Sequence, residues 1–145
     1  MSTTADLSHQ TAIVTGASSG IGRAIAERLG DAGAHAFLSG RTASPMEEIA
    51  ARIEAAGGRA GVDVDVDVAN VRDPDSMRAL VERAVGANGR LDIFVNNAGA
   101  NFIGSILDGK AEDGRAMFET NVVALLVGCQ AAVQAMRATG DPDIS

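Results

Sequence analysis

Apolar positions recur along this 145-residue chain in short blocks that alternate between strand-like and helix-like spacing. The strand-like blocks are rich in β-branched residues or alternate strictly, and they predict strands at 11–15, 34–40, 62–68 and 91–99. The helix-like blocks have apolar residues three and four positions apart, and they predict helices at 21–33, 45–56, 73 to about 88 and 112–139. Glycine or proline punctuates most boundaries, as expected of turns and helix ends.

The order of these blocks predicts an α/β fold with a Rossmann-like, doubly wound parallel sheet of about four strands. No linker, repeat or shift in composition divides the chain, so residues 1–145 are predicted to form a single domain. The sequence VDVDVDV at 62–68 places valines on one face and carboxylates on the other, which is typical of a strand at a sheet edge. Asp63 and Asp65 are interpreted as residues that keep this edge soluble and unpaired.

Composition limits the partners of such a domain. The formal net charge is −7, with 12 basic and 19 acidic side chains, so clustered basic contacts to nucleic acid are not expected. The N-terminus lacks the basic and apolar regions of a signal peptide, and no segment approaches the roughly 20 apolar residues that span a bilayer. Cys129, the single cysteine, suits a reducing compartment. These features predict a cytoplasmic protein without membrane or nucleic-acid partners.

The sequence TGASSGIG at 15–22 follows the first predicted strand and opens the first predicted helix. Its first glycine permits a sharp turn, its second lets the backbone approach a pyrophosphate, and its third lets the helix pack closely on the sheet. Backbone N–H groups at the helix start face the anion, and the two serines add hydroxyl donors. The segment predicts dinucleotide binding rather than a plain glycine-rich turn. Its predicted cofactor-binding residues are Gly16, Ser18, Ser19, Gly20, Ile21 and Gly22.

TGASSGIG, together with NNAG at 96–99 and ETN at 119–121, resembles the short-chain dehydrogenase/reductase family over residues 11 to about 144. The resemblance implies a Rossmann-type fold and hydride transfer between a nicotinamide dinucleotide and a small-molecule carbonyl or alcohol substrate. It also implies that Asn96, Ala98 and Gly99 line the cofactor cleft after the fourth strand. From the residues alone, NNAG is also typical of a turn.

The end of the second predicted strand bears on the choice between NADP and NAD. NAD-binding units usually place a carboxylate there for the ribose 2′-hydroxyl, whereas this strand ends in Ser-Gly-Arg, with the arginine at Arg41. A guanidinium can bind a 2′-phosphate through two hydrogen bonds, so NADP is predicted over NAD unless Arg41 is simply a solvated strand-end residue. The resemblance assigns adenine contacts to Asp67 and Val68, with residues 65 and 66 as the alternative register of the repeat.

The resemblance implies catalysis by an Asn, a Ser, a Tyr and a Lys, and Asn121 occupies the Asn position. Asparagine is unfavourable inside a helix, so its presence at position 121 agrees with a functional role for Asn121. The sequence contains no tyrosine, and its single lysine, Lys110, lies in the loop after the fourth predicted strand. By the family mechanism, this chain alone is therefore expected to be inactive. Both a truncated oxidoreductase and a non-catalytic NADP-binding module completed by a partner chain stay open.

The C-terminal elements carry more apolar surface than this length of chain is expected to cover. The strand LDIFV has an apolar outer edge, and the last predicted helix is apolar around much of its circumference. The family resemblance implies that this helix packs against its counterpart in another subunit. The sequence therefore predicts a homo-oligomer.

Overall fold

The computed structural model describes residues 6–64 and 73–140 of the chain. This part contains four strands: β1 (Thr11–Thr15), β2 (His35–Gly40), β3 (Arg59–Val64) and β4 (Ile93–Val95). They form one parallel sheet in the order β3-β2-β1-β4, in which Thr11 pairs with His35 and Ala12 pairs with Ile93. The predicted Rossmann-like parallel sheet is confirmed, and β3 lies at an edge of it, as the alternating valines and aspartates indicated.

Helices cover both faces of this sheet. They are α1 (Gly20–Asp31), α2 (Ala43–Ala55), α3 (Pro74–Asn88), α4 (Ala111–Phe118) and α5 (Ala124–Thr139), with a π-helical turn (Glu119–Val123) between the last two. Val14 and Leu38 pack against α1 and α2, whereas Ile13 and Phe37 pack against α3 and α5. Successive residues of β1 and β2 thus serve opposite cores, because side chains alternate across a strand.

Helix α3 begins and ends where the sequence predicts, but α2 does not. The Asp73 side chain accepts a hydrogen bond from the backbone at the start of α3, and Gly89 ends that helix with φ +79°. Helix α2 begins at Ala43, after Thr42, so Ser44 lies inside the first turn. The predicted helix start at residue 45 is therefore two residues too late. Proline suits the first turn as well as the first position, because the N–H groups there have no helical partner.

Three other predicted elements have different bounds in the structure. Strand β3 begins at Arg59 rather than at residue 62, and residues 65–68 of the predicted strand lie outside the described residues. Strand β4 ends at Val95 rather than at residue 99, because the NNAG residues bond to neighbouring segments instead of continuing the ladder. The predicted helix at 112–139 is interrupted by the π-helical turn.

The helical segment Ala111–Thr139 corrects one expectation from the sequence. Among the described residues it is the one helix long and apolar enough to cross a membrane, by length and composition only, and an 18-residue window within it has a mean hydropathy of 1.5. Alanine, valine and leucine residues give the window this mean hydropathy, although glycine and glutamine residues interrupt the apolar run. Core helices of proteins outside membranes meet the same criterion, and Ala131 and Ala132 of this helix are buried in the cluster that includes residues of α3.

Candidate functional site

A cleft of about 480 Å³ lies at the carboxyl ends of the parallel strands. Strands β2 and β3 lie on one side of β1 and β4 lies on the other, so the loops that follow β1 and β4 diverge at this point. Such a change in strand order is where open α/β sheets bind ligands. The predicted site residues that line the cleft are Gly16, Ser18, Ser19, Gly20, Ile21, Arg41, Ala98 and Gly99.

The turn after β1 needs glycine at two lining positions. Gly16 has φ +65°, and a Cβ atom there would lie 2.9 Å from the Cα atom of Ala98. Gly20 has φ +55°, yet nothing lies within 4 Å of the position of its absent Cβ. A positive φ disfavours residues with a Cβ, and the open space beside Gly20 leaves room for a ligand to approach the backbone. The turn therefore fits the pyrophosphate of a dinucleotide.

Gly22 does not line the cleft, but it packs closely against this turn. A Cβ atom on Gly22 would collide with the carbonyl oxygen of Gly16 and with the side-chain amide of Asn97. The first turn of α1 can therefore approach the loops after β1 and β4 only because residue 22 has no side chain. This contact is the close helix packing that the sequence analysis assigned to the third glycine.

Thr15 and Asn97 join the two sides of the cleft. Thr15 Oγ1 donates a hydrogen bond to the carbonyl oxygen of Val95 at 3.1 Å. The same oxygen accepts hydrogen bonds from the backbone N–H groups of Asn97 at 3.0 Å and Ala98 at 3.1 Å. Asn97 Nδ2 in turn donates to the carbonyl oxygens of Thr15 and Gly16, both at 3.1 Å. These bonds hold the loop after β4 against the glycine-rich turn after β1.

Thr15 is not among the residues predicted from the sequence to form the site, and Asn97 enters that prediction only as part of NNAG. Thr15 is a polar residue at the last position of a buried strand, directly before the glycine-rich turn. That position was the available signal, because a buried hydroxyl at a strand end usually has a hydrogen-bonding partner. The identity of the partner depends on residues about 80 positions away, as the bond to Val95 shows.

Asn96 does not point into the cleft with its neighbours. Its Nδ2 atom donates to Cys129 Sγ at 3.2 Å and to the carbonyl oxygen of Leu125 at 3.4 Å, so the side chain contacts α5. Ala98 and Gly99, by contrast, line the cleft. Among the three residues predicted from NNAG, the structure brings two to the cleft and places the side chain of the third on a helix.

Asn121 lies in the π-helical turn and bonds to the loop after β4. Its Oδ1 atom accepts a hydrogen bond from the Ala100 N–H at 2.8 Å, and its Nδ2 atom donates to the Ala100 carbonyl at 2.9 Å. A Cβ atom on Gly99 would lie 3.3 Å from the same Oδ1 atom. Turns of this π type inside α-helices occur frequently at functional sites. Asn121 therefore fixes the backbone beside the cleft, on the β4 side.

Arg41 lies at the opposite side of the cleft, directly after β2. The residue is exposed and lines the cleft, and it has no hydrogen bond or ion pair within the described part of the chain. Asp31, which precedes β2, is engaged elsewhere, with Oδ2 3.7 Å from Arg52 Nη2. A guanidinium without a partner among the described residues thus lies where the sequence predicts a 2′-phosphate. Asp67 and Val68, the predicted adenine contacts, lie outside the described residues.

The described lining of the cleft is suited to binding a nucleotide. Within the described residues it consists of backbone, hydroxyl, amide, guanidinium and apolar groups, without a histidine, lysine or carboxylate. The described residues also contain no group of three or more His, Cys, Asp or Glu side chains that could hold a metal ion. Backbone N–H groups at the start of α1 and the hydroxyls of Ser18 and Ser19 supply donors to an anion. The residues present therefore fit a dinucleotide phosphate.

The fold and the cleft define an α/β protein of the dinucleotide-binding class. The sequence model described as short chain dehydrogenase matches residues 10–144. This chain belongs to the short-chain dehydrogenase family. An uncharacterised oxidoreductase of Staphylococcus saprophyticus is 35% identical over 131 residues, and the match covers 90% of this chain and 55% of that protein.

Other relatives agree with the family assignment. Glucose 1-dehydrogenase 2 of Bacillus subtilis is 35% identical over 133 residues, covering 90% of this chain and 50% of that enzyme. A crystal structure of a short chain dehydrogenase from Burkholderia cenocepacia in complex with NADP superposes with a TM-score of 0.83 at 38% identity, covering 90% of this chain and 52% of that one. The chain thus spans about half the length of the relatives it matches.

Proposed function

We propose that this chain is the cofactor-binding part of an NADP(H)-dependent oxidoreductase that interconverts a small-molecule carbonyl and an alcohol. The observation that supports this proposal is the cleft at the carboxyl end of the sheet, with a glycine turn that fits a pyrophosphate and the exposed Arg41 guanidinium beside it. Membership of the short-chain dehydrogenase family supports the reaction class. When bound, the nicotinamide cofactor supplies or accepts the hydride.

Each group of lining residues has a distinct role in this proposal. The N–H groups that begin α1, with Ser18 and Ser19, bind the pyrophosphate, where the helix dipole favours negative charge. Arg41 binds the ribose 2′-phosphate through its planar guanidinium, which selects NADP(H) over NAD(H). Asp67 and Val68 contact the adenine. Asn121 keeps the role that the resemblance implies, anchoring a water of the proton relay.

A direct test compares NADPH and NADH binding to the 145-residue chain by fluorescence titration. Arg41→Asp should lower the affinity for NADPH at least about tenfold, because a charge-assisted phosphate contact is lost and a repulsive carboxylate replaces it. The affinity for NADH should change little. Arg28→Asp makes the same charge change on the exposed surface of α1, away from the cleft, and serves as the control. Equal NADPH affinity in Arg41→Asp and the unmodified chain would exclude the assignment of Arg41.

The absence of tyrosine from the sequence favours a second possibility for the chain on its own. A tyrosine with a pKa near ~10 needs a neighbouring cation to exchange protons near neutral pH, and neither partner of a Tyr-x-x-x-Lys pair lines this cleft. The 145 residues would then act as a non-catalytic NADP-binding module, completed by a partner chain. NADPH binding without consumption of NADPH in the presence of varied ketones and aldehydes would support the module. Turnover by the isolated chain would contradict it.

Self-association and cytoplasmic location complete the proposal. Helices α4 and α5 leave large apolar side chains exposed, as expected of a surface that contacts another subunit. The cytoplasm suits a nicotinamide-dependent protein with the single thiol of Cys129, which has no disulfide partner within the chain.

A further inference from the structure

Asn88 is followed by Gly89, and this is the single Asn-Gly pair in the sequence. In such a pair the backbone nitrogen of the glycine can attack the side-chain amide carbon of the asparagine, because glycine has no side chain to obstruct ring closure. The attack releases ammonia and leaves a cyclic imide, which water then opens to aspartate or isoaspartate. Every other asparagine of the chain is followed by a residue with a side chain, which slows the same reaction.

The backbone at the end of α3 opposes this reaction in the folded chain. Asn88 is the last residue of α3, and Gly89 follows it with φ +79°. The Gly89 N–H, whose nitrogen is the attacking atom, donates a hydrogen bond to the Val85 carbonyl oxygen at 2.6 Å. This N–H points back along the helix, away from the side chain of residue 88. The last turn of α3 must therefore open before ring closure, and helix ends are where opening costs least.

Two hydrogen bonds also hold the Asn88 side-chain amide. Its Oδ1 atom accepts a hydrogen bond from Arg59 Nη1 at 2.9 Å, and its Nδ2 atom donates to Thr11 Oγ1 at 2.6 Å. Arg59 begins β3 and Thr11 begins β1, and both pair in register with His35 at the start of β2. The amide therefore bridges two strands of the sheet at their amino ends, and both bonds must break before its carbon atom can be attacked.

The pair Asp108–Gly109 lies in the loop between β4 and α4 and lacks these restraints. Asp108 is exposed, and its side chain has no hydrogen bond or ion pair with any residue that the structure describes. The Gly109 N–H likewise donates to no backbone carbonyl in the described ranges. Asp108→Asn thus places an unrestrained Asn-Gly sequence in the same molecule, and its reaction gives the rate in the absence of the bonds that hold Asn88.

We propose that Asn88 is a site of spontaneous deamidation, and that Arg59 and Thr11 control its rate by holding the side-chain amide in the folded chain. The reactants are the chain itself and water, and the product has a carboxylate where the amide was. Isoaspartate also adds a methylene group to the main chain at the end of α3, which moves the carboxylate away from Arg59 and Thr11. The modification therefore disconnects α3 from the amino ends of β1 and β3. It does not depend on nucleotide binding.

The test uses the whole 145-residue chain with Asp108→Asn, incubated at neutral pH. Mass spectrometry of peptides measures deamidation at positions 88 and 108 in the same sample. Position 108 should convert at least about tenfold faster than position 88, because breaking the bonds at position 88 costs free energy before the reaction can begin. Equal rates at the two positions would overturn the proposal.

A second substitution in this chain tests the role of Arg59. Arg59→Ala should speed deamidation at position 88 about fivefold, because the loss of one hydrogen bond raises the population of the open conformer. The rate at position 108 should not change. Arg28→Ala is the matched control, because Arg28 is exposed on α1 and has no hydrogen bond or ion pair among the described residues. This control should leave both rates unchanged.

Urea below the unfolding transition gives a measurement that needs no change at Arg59. It should speed the reaction at position 88, which requires opening of the chain, and leave the rate at position 108 nearly constant. An unchanged rate at position 88, in folded Arg59→Ala or in urea, would show that the fold does not control the reaction. No product at position 88 after full conversion at position 108, even with Arg59→Ala, would show that Asn88 is not a modification site. Circular dichroism establishes that the variants fold.

Discussion

A single hydroxyl, that of Thr15, ties the end of β1 to the loop after β4, and its removal tests how the cleft is held open. Thr15→Val keeps the shape of the side chain but leaves the Ala98 N–H without its acceptor, whereas the Asn97 N–H still donates to the Val95 carbonyl oxygen at 3.1 Å. One unsatisfied buried donor costs about 1–3 kcal/mol, so the free energy of unfolding should fall by about that amount. Urea unfolding measures this loss, and NADPH titration should show a parallel loss of affinity.

Thr42→Val is the matched control for this substitution. Thr42 is exposed at the start of α2, and its side chain makes no capping hydrogen bond. The same chemical change there should alter the free energy of unfolding by less than about 0.5 kcal/mol, as is usual for surface sites. Similar losses in the two variants would contradict the role assigned to Thr15.

His35 should make the stability of the fold depend on pH. The residue is 8% exposed, its Nδ1 atom has no hydrogen-bonding partner within the described chain, and its ring lies 4.9 Å from that of Phe37. Burial, and secondarily the positive charge of Arg59, lower the pKa of His35 from its ordinary value of 6.5. The unfolded chain then binds a proton at a higher pH than the folded chain does. The contribution to stability is therefore complete above the unfolded pKa and is lost as the pH falls through 6.5 toward the folded pKa.

His35→Phe isolates this effect, because the variant retains every other titrating group. The free energy of unfolding of the unmodified chain should decline more steeply between about pH 7 and pH 5 than that of the variant. Urea unfolding at several pH values measures the two slopes, and His35→Gln gives a second neutral side chain in case phenylalanine does not fit. Parallel slopes in all three proteins would show that His35 does not couple folding to protonation.

At the scale of elements, the docking of α1 depends on the missing side chain at Gly22. A Cβ atom there meets the backbone carbonyl of Gly16 and the side-chain amide of Asn97, which is held by hydrogen bonds to the carbonyl oxygens of Thr15 and Gly16. Gly22→Ala should therefore destabilise the fold by about 1–3 kcal/mol or more and weaken NADPH binding. Gly86→Ala in α3 is the control, because nothing lies within 4 Å of its Cβ position. That control should be neutral or stabilising by up to about 1 kcal/mol, and a tolerated Gly22→Ala would contradict the packing.

The order of the elements could be predicted from the sequence because apolar periodicity is a local property of each strand and helix. Element boundaries were less certain where two local signals competed. Thr42 and Ser44 are both capping residue types, and α2 follows Thr42. The buried Met46 and Ile49, which pack on the sheet, are spaced for a helix that already includes residue 43.

The candidate site could be predicted where a residue acts through its own backbone, as in the turn at 15–22. It could not be predicted where a side chain chooses between partners distant in sequence. Asn96 and Asn97 are neighbours of the same type, yet one contacts α5 and the other bonds to Thr15, 82 positions earlier. Residues in an irregular segment have no fixed alternation, so only the packed fold decides which amide faces the cleft.

At the scale of the whole molecule, exposed apolar residues follow the β4 side of the domain. Strand β4 pairs only with β1 among the described strands, so its outer edge is open. The large side chains with more than about a third of their surface exposed on this side are Phe102, Ile103, Ile106, Leu107, Phe118, Val122, Leu125, Leu126 and Val133. Monomeric proteins rarely expose contiguous apolar patches above a few hundred Å². We therefore propose the exposed face of α4 and α5 as the surface through which copies of the chain associate.

Sedimentation velocity of the unmodified chain should show dimers or larger species at micromolar concentration. Leu126→Arg places a charge in this face at a residue that is 55% exposed, so it should shift the distribution toward monomer. The fold should be unaffected, because residue 126 is not part of the buried clusters. Burial of an unpaired charge in an interface between copies opposes association by several kcal/mol, which is a large fraction of the binding free energy of a typical dimer.

Ala51→Arg is the matched control, because residue 51 is exposed on α2, on the opposite face of the sheet, and this variant should leave association unchanged. A monomeric unmodified chain, or equal association of the two variants, would contradict the placement of the interface on α4 and α5.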